Sequence, residues 1–194
     1  MNRVADVALA GLGLVLTSPL LAGAALAIKL DDGGPVLFRQ TRVGKGGRDF
    51  DLVKLRSMTV GAEHTGAGYA VDRGDARITR VGRALRRTSI DELPQLWNVL
   101  RGDMSVIGPR PTLRYQVDRY GERQRRRLEV RPGITGWAQV NGRATLAWAD
   151  RIELDVWYVE HRSALVDLKI LLRTPLALFA GTYKGSTGGW SARG

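Results

Sequence analysis

Residues 86–98 read Arg-Arg-Thr-Ser-Ile-Asp-Glu-Leu-Pro-Gln-Leu-Trp-Asn and contain two adjacent carboxylates, Asp91 and Glu92. Ser89 and Glu92 have the spacing of a capping box, in which each side chain bonds the other residue's backbone N–H at the start of a helix. Pro94 is tolerated only in the first turn, so we expect the helix to begin between Ser89 and Asp91. Both carboxylates would then lie at a helix N-terminus, which favours negative charge and also binds phosphate.

Arginines precede and follow this acidic pair. Arg86 and Arg87 come directly before it, and Pro109-Arg110-Pro111 follows the expected helix. The two prolines have fixed φ angles, so they hold Arg110 in a set direction. Acids in the first turn of a helix also occur for stability alone. Their combination with guanidinium groups favours a site for phosphoryl chemistry over a simple helix start.

The N-terminal segment is apolar enough for a membrane. Residues 7–28 carry no charged side chain, which meets the criterion of roughly 18 residues for a membrane helix. Ser18-Pro19 lies near the middle and predicts a sharp kink, and basic residues flank both ends. A kinked spanning helix and a re-entrant segment that returns to the same face both fit. A signal peptide ending near Ala25-Leu26-Ala27 is disfavoured because the apolar stretch is long for that role.

Composition narrows the classes of function. The 194 residues provide one ordinary core beside a membrane element, and 30 Lys and Arg against 19 Asp and Glu give a net charge of +11. Such a chain favours anionic partners, whether lipid headgroups, nucleotide diphosphates or nucleic acid. The absence of Cys excludes disulfides and thiolate chemistry, and two His argue against a His-based metal cluster. An oxygen-ligated Mg²⁺ stays open.

Two short strands are predicted after the membrane segment, at residues 35–38 and 50–58, joined by a glycine-rich turn at residues 44–47. Residues 61–74 have no apolar period and predict a loop, without the Gly-Lys-Ser/Thr ending of a phosphate-binding loop. Together with the expected helices, this predicts a small, mostly helical α/β (α+β) domain with a short β-hairpin.

Residues 113–128 predict one basic amphipathic helix, with several arginines opposite an apolar face. Such a helix is usually only solvated, but it could also lie on anionic headgroups or bind RNA. Residues 165–179 are apolar but interrupted by charges and a proline, so they should not span a bilayer and should pack on the core or lie at the interface. The Gly- and Ser-rich tail, residues 181–194, predicts disorder.

Residues 131–143 combine turn glycines, Trp137, the amide of Gln139 and Arg143. These groups suit a nucleotide or sugar pocket, although Trp137 could equally belong to the core.

With these motifs, the chain closely resembles the bacterial sugar transferases, the monotopic phosphoglycosyl transferases that start lipid-linked glycan assembly. It is similar in size to their minimal members. The resemblance runs from about Arg3 to about Thr174. It is carried by the following segments: Phe38 to Gly44, Lys54 to Met58, Ser89 to Leu96, Gly102 to Ser105, Gly108 to Pro111 and Arg131 to Trp137.

The resemblance implies transfer of a phosphosugar from a UDP-sugar to polyprenol (undecaprenyl) phosphate, with release of UMP. Asp91 would be the nucleophile of a covalent intermediate and Glu92 would help hold Mg²⁺. The arginines and the helix dipole are expected to favour the ionised form of Asp91. Arg110 is the first candidate for binding the donor phosphates. Further candidates for substrate binding are Lys54, Arg56, Gln139 and Arg143.

The resemblance also implies that Ser18-Pro19 makes residues 1–30 a re-entrant helix-break-helix element. Residues 31–180 would form the catalytic domain on the cytoplasmic face of the bacterial inner membrane, with interfacial amphipathic helices against anionic lipids. No nucleic-acid partner is expected, and a homodimer is left open. The alternative to the enzyme is a non-catalytic basic module that binds a membrane surface or RNA, in which the acids only cap a helix.

Overall fold

The computed structural model describes residues 2–65, 74–142 and 146–179, and every element below lies within them. The predicted tail, most of the predicted 61–74 loop and Arg143 lie outside the described residues. The helices are α1 Arg3–Asp32, α2 Arg80–Thr88, α3 Gln95–Arg101, α4 Arg114–Val117, α5 Glu122–Arg125, α6 Trp137–Val140, α7 Trp148–His161 and α8 Ala164–Phe179. The strands are β1 Leu37–Val43, β2 Asp49–Leu55, β3 Ser105–Ile107 and β4 Gly133–Thr135. The helical α+β class predicted from the sequence is confirmed.

The predicted β-hairpin is present. β1 and β2 pair antiparallel, with Leu37 opposite Leu55 and Val43 opposite Asp49. A 3-10 turn at Lys45–Gly47 connects them. Its last two glycines have φ angles of 66° and 78°, which residues with a Cβ rarely adopt.

A second, parallel pair brings distant segments together. β3 pairs with β4, with Ser105 opposite Gly133. The backbones meet so closely that a Cβ on Gly133 would lie 2.0 Å from the Gly108 nitrogen, and one on Gly136 would lie 2.2 Å from the Gly108 oxygen. These glycines are therefore required by close approach, which sets the segment leading to Gln139 beside the proline-flanked Arg110.

Both ends of α1 are fixed to the same domain. Near its start, Asp6 is buried and accepts hydrogen bonds from Ser105 Oγ at 2.8 Å and from the Val106 N–H at 2.9 Å. Near its end, Asp32 forms an ion pair with the buried Arg56. Side-chain contacts therefore hold both ends of α1 to one domain.

The middle of α1 is exposed. Val15, Leu16 and Leu20 point away from the domain, between the buried Ala10 and Ala24. The expected helix-break-helix element is instead one helix that contains Pro19. A proline removes a single backbone bond, which neighbouring groups can tolerate in an apolar helix. α1 is long and apolar enough to cross a membrane, and only 11% of its most apolar window is buried, unlike the core helix of a soluble protein.

The single basic helix predicted over residues 113–128 is wrong. This segment forms α4, α5 and a 3-10 turn at Arg126–Glu129. Its arginines are largely engaged: Arg127 is buried, and Arg123 and Arg126 pair with acids that include Glu160 of α7. The free basic surface that would suit headgroups or RNA is therefore much reduced.

α8 has two faces. Ile170 is completely buried against Ile107 and Tyr158, while leucines on the opposite face are exposed. The exposed leucines are Leu165, Leu168, Leu172 and Leu176. Their spacing forms a stripe along the helix, as an interfacial amphipathic helix requires.

Candidate active site

The acidic pair lies in a 3-10 turn, Ile90–Glu92, between α2 and α3. Ser89 has a φ of 58° and ends α2, and its side chain makes no capping bond. The α-helix that follows begins at Gln95, with Pro94 at its N-cap. The predicted capping box is therefore wrong. The acidic pair therefore lies at a turn between two helices, where neighbouring elements can approach it.

Asp91 is only 6% exposed. Burial raises the pKa of its carboxyl to about 6, the adjacent Glu92 charge acts in the same direction, and the cations Lys54, Arg86 and Arg110 oppose them. The arginines favour the charged form, as expected, but desolvation outweighs the cations and the net change in the pKa is upward. At neutral pH the carboxylate remains mostly ionised, with its negative charge held in a poorly hydrated place.

Lys54, which was predicted to bind substrate, lies on β2. The β-hairpin positions it close to the acidic turn. Its ammonium lies 5.3 Å from the centre of the Phe38 ring. Burial lowers the pKa of Lys54 to about 8, against the opposing effect of the Asp91 carboxylate. Lys54 is therefore a partly desolvated cation whose charge acts directly on Asp91.

Glu92 and Arg110 form a two-point ion pair. Arg110 Nη2 lies 2.5 Å from Glu92 Oε1, and Nη1 lies 3.2 Å from Oε2. The Glu92 charge raises the pKa of Arg110, so the guanidinium stays charged. The Arg110 side chain is 52% exposed, so it retains access to a bound anion while its position is fixed. Two parallel bonds of this kind suit carboxylate or phosphate.

A buried pair behind Arg110 was not predicted from the sequence. Arg127 Nη2 donates to the Arg110 carbonyl oxygen at 2.9 Å and to Asp155 Oδ2 at 2.5 Å. Its Nη1 donates to the Tyr120 hydroxyl. Arg127 thus joins the Arg110 loop to α7. The only sequence signal was an arginine within a basic run, which gives no indication that one member turns inward.

The structure does not bring Arg56 to the acidic pair. Its guanidinium bonds Asp32 and donates to the Pro35 carbonyl at 2.6 Å. Arg56, the residue after β2, therefore joins the hairpin to the end of α1, and its role in substrate binding stays a prediction. Arg143, also predicted to bind substrate, lies outside the described residues.

A cavity of about 170 Å³ opens beside Glu92, between α3, β4 and α8. Gln139, predicted to bind substrate, lines it and is 8% exposed. Neither Gln139 Oε1 nor Nε2 has a hydrogen-bond partner among the described residues. Buried amides are nearly always satisfied, so this one indicates a missing partner. Trp137, in contrast, stacks on Trp157 at 4.7 Å and belongs to the packed interior.

Metal-binding capacity in the described part of the chain is limited. It contains no cluster of three or more His, Cys, Asp or Glu side chains. Asp91 and Glu92 supply adjacent carboxylates whose charges disfavour each other. That donor set suits Mg²⁺, which binds one or two carboxylates and takes its other oxygens from water and substrate phosphates.

Comparison with known proteins identifies the family of the chain. A sequence profile of the bacterial sugar transferases matches residues 1–181. An uncharacterized sugar transferase, EpsL, of Bacillus subtilis (strain 168) is 46% identical over 174 residues, covering 90% of this chain and 85% of EpsL. A UDP-glucose:undecaprenyl-phosphate glucose-1-phosphate transferase of Caulobacter vibrioides is 50% identical over 181 residues, covering 89% of this chain and 67% of that protein.

A third relative differs in length and in sugar. The UDP-N-acetylgalactosamine-undecaprenyl-phosphate N-acetylgalactosaminephosphotransferase of Aeromonas hydrophila is 46% identical over 187 residues. The match covers 93% of this chain but only 44% of the Aeromonas protein. The names of these relatives specify two different sugars, so similarity at this level leaves the sugar open.

Proposed function

The chain belongs to the bacterial sugar transferase family, and we propose that it transfers a sugar-1-phosphate from a UDP-sugar to polyprenol phosphate. UMP is released and a polyprenyl-diphosphate-sugar is formed. The observation that carries the proposal is a buried carboxylate, Asp91, surrounded by the cations Lys54, Arg86 and Arg110. The names of the relatives, which are phosphotransferases acting on undecaprenyl phosphate, support it.

The first step forms a bond to Asp91. An oxygen of the ionised Asp91 attacks the phosphorus that bears the sugar, the bond from that phosphorus to the bridging oxygen breaks, and UMP leaves with that oxygen. Carboxylates serve as covalent phosphoryl acceptors in other enzymes. Arg110 and Lys54 hold the donor phosphates and offset their charge, which grows on the leaving oxygen.

The second step returns the carboxylate. A phosphate oxygen of the polyprenol phosphate attacks the same phosphorus, the bond to Asp91 breaks, and a new P–O–P linkage forms. The two substrates therefore react in turn with one carboxylate, which predicts ping-pong kinetics.

Glu92 has two tasks in this proposal. It orients Arg110 through their two-point ion pair, and with Asp91 it supplies carboxylate oxygens for Mg²⁺. A bound Mg²⁺ would neutralise diphosphate charge. Glu92→Gln is expected to weaken the Mg²⁺ dependence of UMP release, and an unchanged Mg²⁺ titration would remove Glu92 as a ligand.

We place the enzyme on the cytoplasmic face of the bacterial inner membrane, with both ends of α1 on that face. The support is the attachment of Asp6 and Asp32, near opposite ends of α1, to one domain. The exposed leucines between them, and the leucine stripe of α8, would contact lipid.

The topology has a direct test because the chain contains no Cys. Asn2→Cys places a thiol at the start of α1, and Asp118→Cys places a matched thiol on the exposed surface of the domain. With a membrane-impermeant maleimide, we expect both variants to stay unlabelled in intact spheroplasts and to react after lysis. Labelling of Asn2→Cys alone in intact spheroplasts would show that α1 crosses the membrane.

The activity is tested by measuring UMP release from a panel of UDP-sugars, with and without polyprenol phosphate and Mg²⁺, together with the intact mass of the protein. We expect one donor to give UMP and, without acceptor, a mass gain of one phosphosugar that Asp91→Asn lacks. A mass gain retained in Asp91→Asn would exclude the covalent mechanism. No UMP from any donor would favour the non-catalytic membrane-surface or RNA-binding module.

A further inference from the structure

We propose that the cavity between α3, β4 and α8 binds the first isoprene units of the polyprenol phosphate acceptor, with the Gln139 amide contacting its head end. This assignment rests on the proposed function, because it names where one of the two substrates lies. The cavity is about 170 Å³ in volume and opens beside Glu92.

The lining selects for an apolar occupant. Most of the wall is hydrocarbon, and none of the lining residues that the structure describes is a Lys or Arg. The apolar lining residues are Ile90, Leu93, Leu96, Ile134, Ala177 and Leu178. A diphosphate or nucleotide needs cations, which lie instead around Asp91. Two of the hydroxyls in the wall, on Thr135 and Thr174, already bond each other at 2.8 Å.

Gln139 is the polar residue of this wall whose unpaired amide indicates a ligand. Its side chain is buried, and neither of its polar atoms has a partner within the described part of the chain. Leaving a buried amide unsatisfied is unfavourable. Its N–H groups can donate to a phosphate oxygen, and Glu92 beside the same cavity marks the side where the reacting phosphorus must lie.

The cavity also leads toward the surfaces that would lie in lipid. Leu96 forms part of its wall and packs on α1, where a Cβ added to Gly13 would lie 3.1 Å from Leu96 Cδ1. Ala177 closes the other side from α8, whose Leu172 and Leu176 are exposed on the outside. A chain that leaves the cavity therefore meets apolar surface on both sides.

The size fits part of a chain rather than a whole ligand. Pockets that enclose a complete small molecule measure about 300–1,000 Å³, which exceeds the roughly 170 Å³ here. A long isoprenoid would leave most of its length in the bilayer and insert only the units next to the phosphate. In that arrangement the phosphate reaches Asp91 and Glu92 while most of the lipid stays in the bilayer.

The test fills the cavity and measures each half-reaction separately. Ala177→Phe adds a ring where space exists, and Ala164→Phe makes the same change on the exposed first residue of α8. We expect Ala177→Phe to raise the KM for undecaprenyl phosphate about tenfold. UMP release and the phosphosugar mass gain without acceptor should stay within about twofold of wild type, and Ala164→Phe should change neither.

Gln139→Met gives a second test that does not depend on filling space. Because Gln139 makes no hydrogen bond within the described protein, an isosteric apolar side chain should leave the Tm unchanged or raise it. We expect the KM for undecaprenyl phosphate to rise at least threefold with the donor half-reaction intact. A purely structural glutamine would instead lower the Tm and leave that KM unchanged.

The outcomes separate the two proposals. If both variants keep the wild-type KM for the acceptor, the cavity does not bind the lipid. If Ala177→Phe abolishes the acceptor-free mass gain while remaining folded, the cavity serves the donor and the assignment is overturned. If the wild type itself releases no UMP from any donor, the proposed function fails, and the acceptor assignment falls with it.

Discussion

Two aspartates in this protein, Asp91 and Asp155, are both buried but differ in the charged groups that bind them. Asp91 is 6% exposed and Asp155 is 3% exposed, and burial raises the pKa of each to about 6. Asp155 is bound directly by the Arg127 guanidinium. The Asp91 carboxylate makes no hydrogen bond or ion pair within the described residues, although Lys54 and Arg110 act on it through their charge.

The comparison shows that burial alone does not distinguish a structural aspartate from a proposed nucleophile. A desolvated carboxylate bound directly by a buried guanidinium is a structural group, because its ion pair holds it in place and its partner would be stranded without it. A desolvated carboxylate held among cations that do not bind it directly keeps its oxygens available to attack phosphorus. The direct ion pair with a guanidinium, and not the pKa, separates the structural acid from the proposed nucleophile.

The largest effect is expected from Asp91→Asn. Turnover should fall by at least about 10³-fold, because the amide cannot form the proposed covalent bond. Asp155→Asn should still show the phosphosugar mass gain, although more slowly. Intact mass after incubation with the donor alone compares them directly. A mass gain seen with Asp91→Asn but lost with Asp155→Asn would reverse the roles assigned to the two residues.

Asp155→Ala should produce the largest loss of stability. It leaves the buried Arg127 without its carboxylate partner, which typically costs about 3–5 kcal/mol. Chemical unfolding of the purified protein measures the change. The double variant Arg127→Met/Asp155→Leu is the control, since it removes both charges, and it should be more stable than Asp155→Ala. Equal losses would mean that the stranded charge is not the cause.

Asp91→Asn should have the opposite effect on stability. The pKa of folded Asp91 is raised to about 6 from its ordinary 3.8, so its ionisation opposes folding above pH 6. Two pKa units correspond to about 3 kcal/mol at most. The gain in Tm from Asp91→Asn should be greatest at pH 8 and should shrink as the pH falls from 6 to 4. Metal-free buffer is required, and Asp155 cancels in the comparison with wild type.

The smallest expected effect concerns Arg110→Lys. The ion pair with Glu92 is half-exposed at Arg110, so stability should change by less than about 1 kcal/mol. Lysine cannot form the two parallel bonds of a guanidinium. We therefore expect the KM for the UDP-sugar to rise about tenfold, with the acceptor KM unchanged. An unaffected donor KM would limit Arg110 to orienting Glu92.

Local chemistry made some features predictable from the sequence. The glycines at residues 44–47 predicted the hairpin turn, and the apolar run of residues 7–28 predicted the long α1. The capping box failed because the chain turns at Ser89 through a left-handed conformation, so helix α3 begins only at Gln95. Short-range spacing could not distinguish one helix from two helices joined at a turn.

The predicted site residues divide in the same way. Asp91, Glu92 and Arg110 lie together, and Lys54 reaches them through the hairpin register. Arg56 is two positions from Lys54, but its side chain forms an ion pair with Asp32 at the end of α1. Sequence distance placed both basic residues near the site, and only long-range contacts separated them.

The sequence by itself determined which chemistry the chain can perform: an acidic pair next to arginines, an apolar N-terminal segment and no cysteine. Residue type and short-range spacing encode these properties directly. Only the tertiary structure decided that Asp91 is desolvated, that Arg127 binds Asp155, and that Gln139 is buried beside a cavity with no hydrogen-bond partner among the described residues. Burial and charge neighbourhoods depend on segments far apart in the chain, because desolvation and Coulomb interactions act through space.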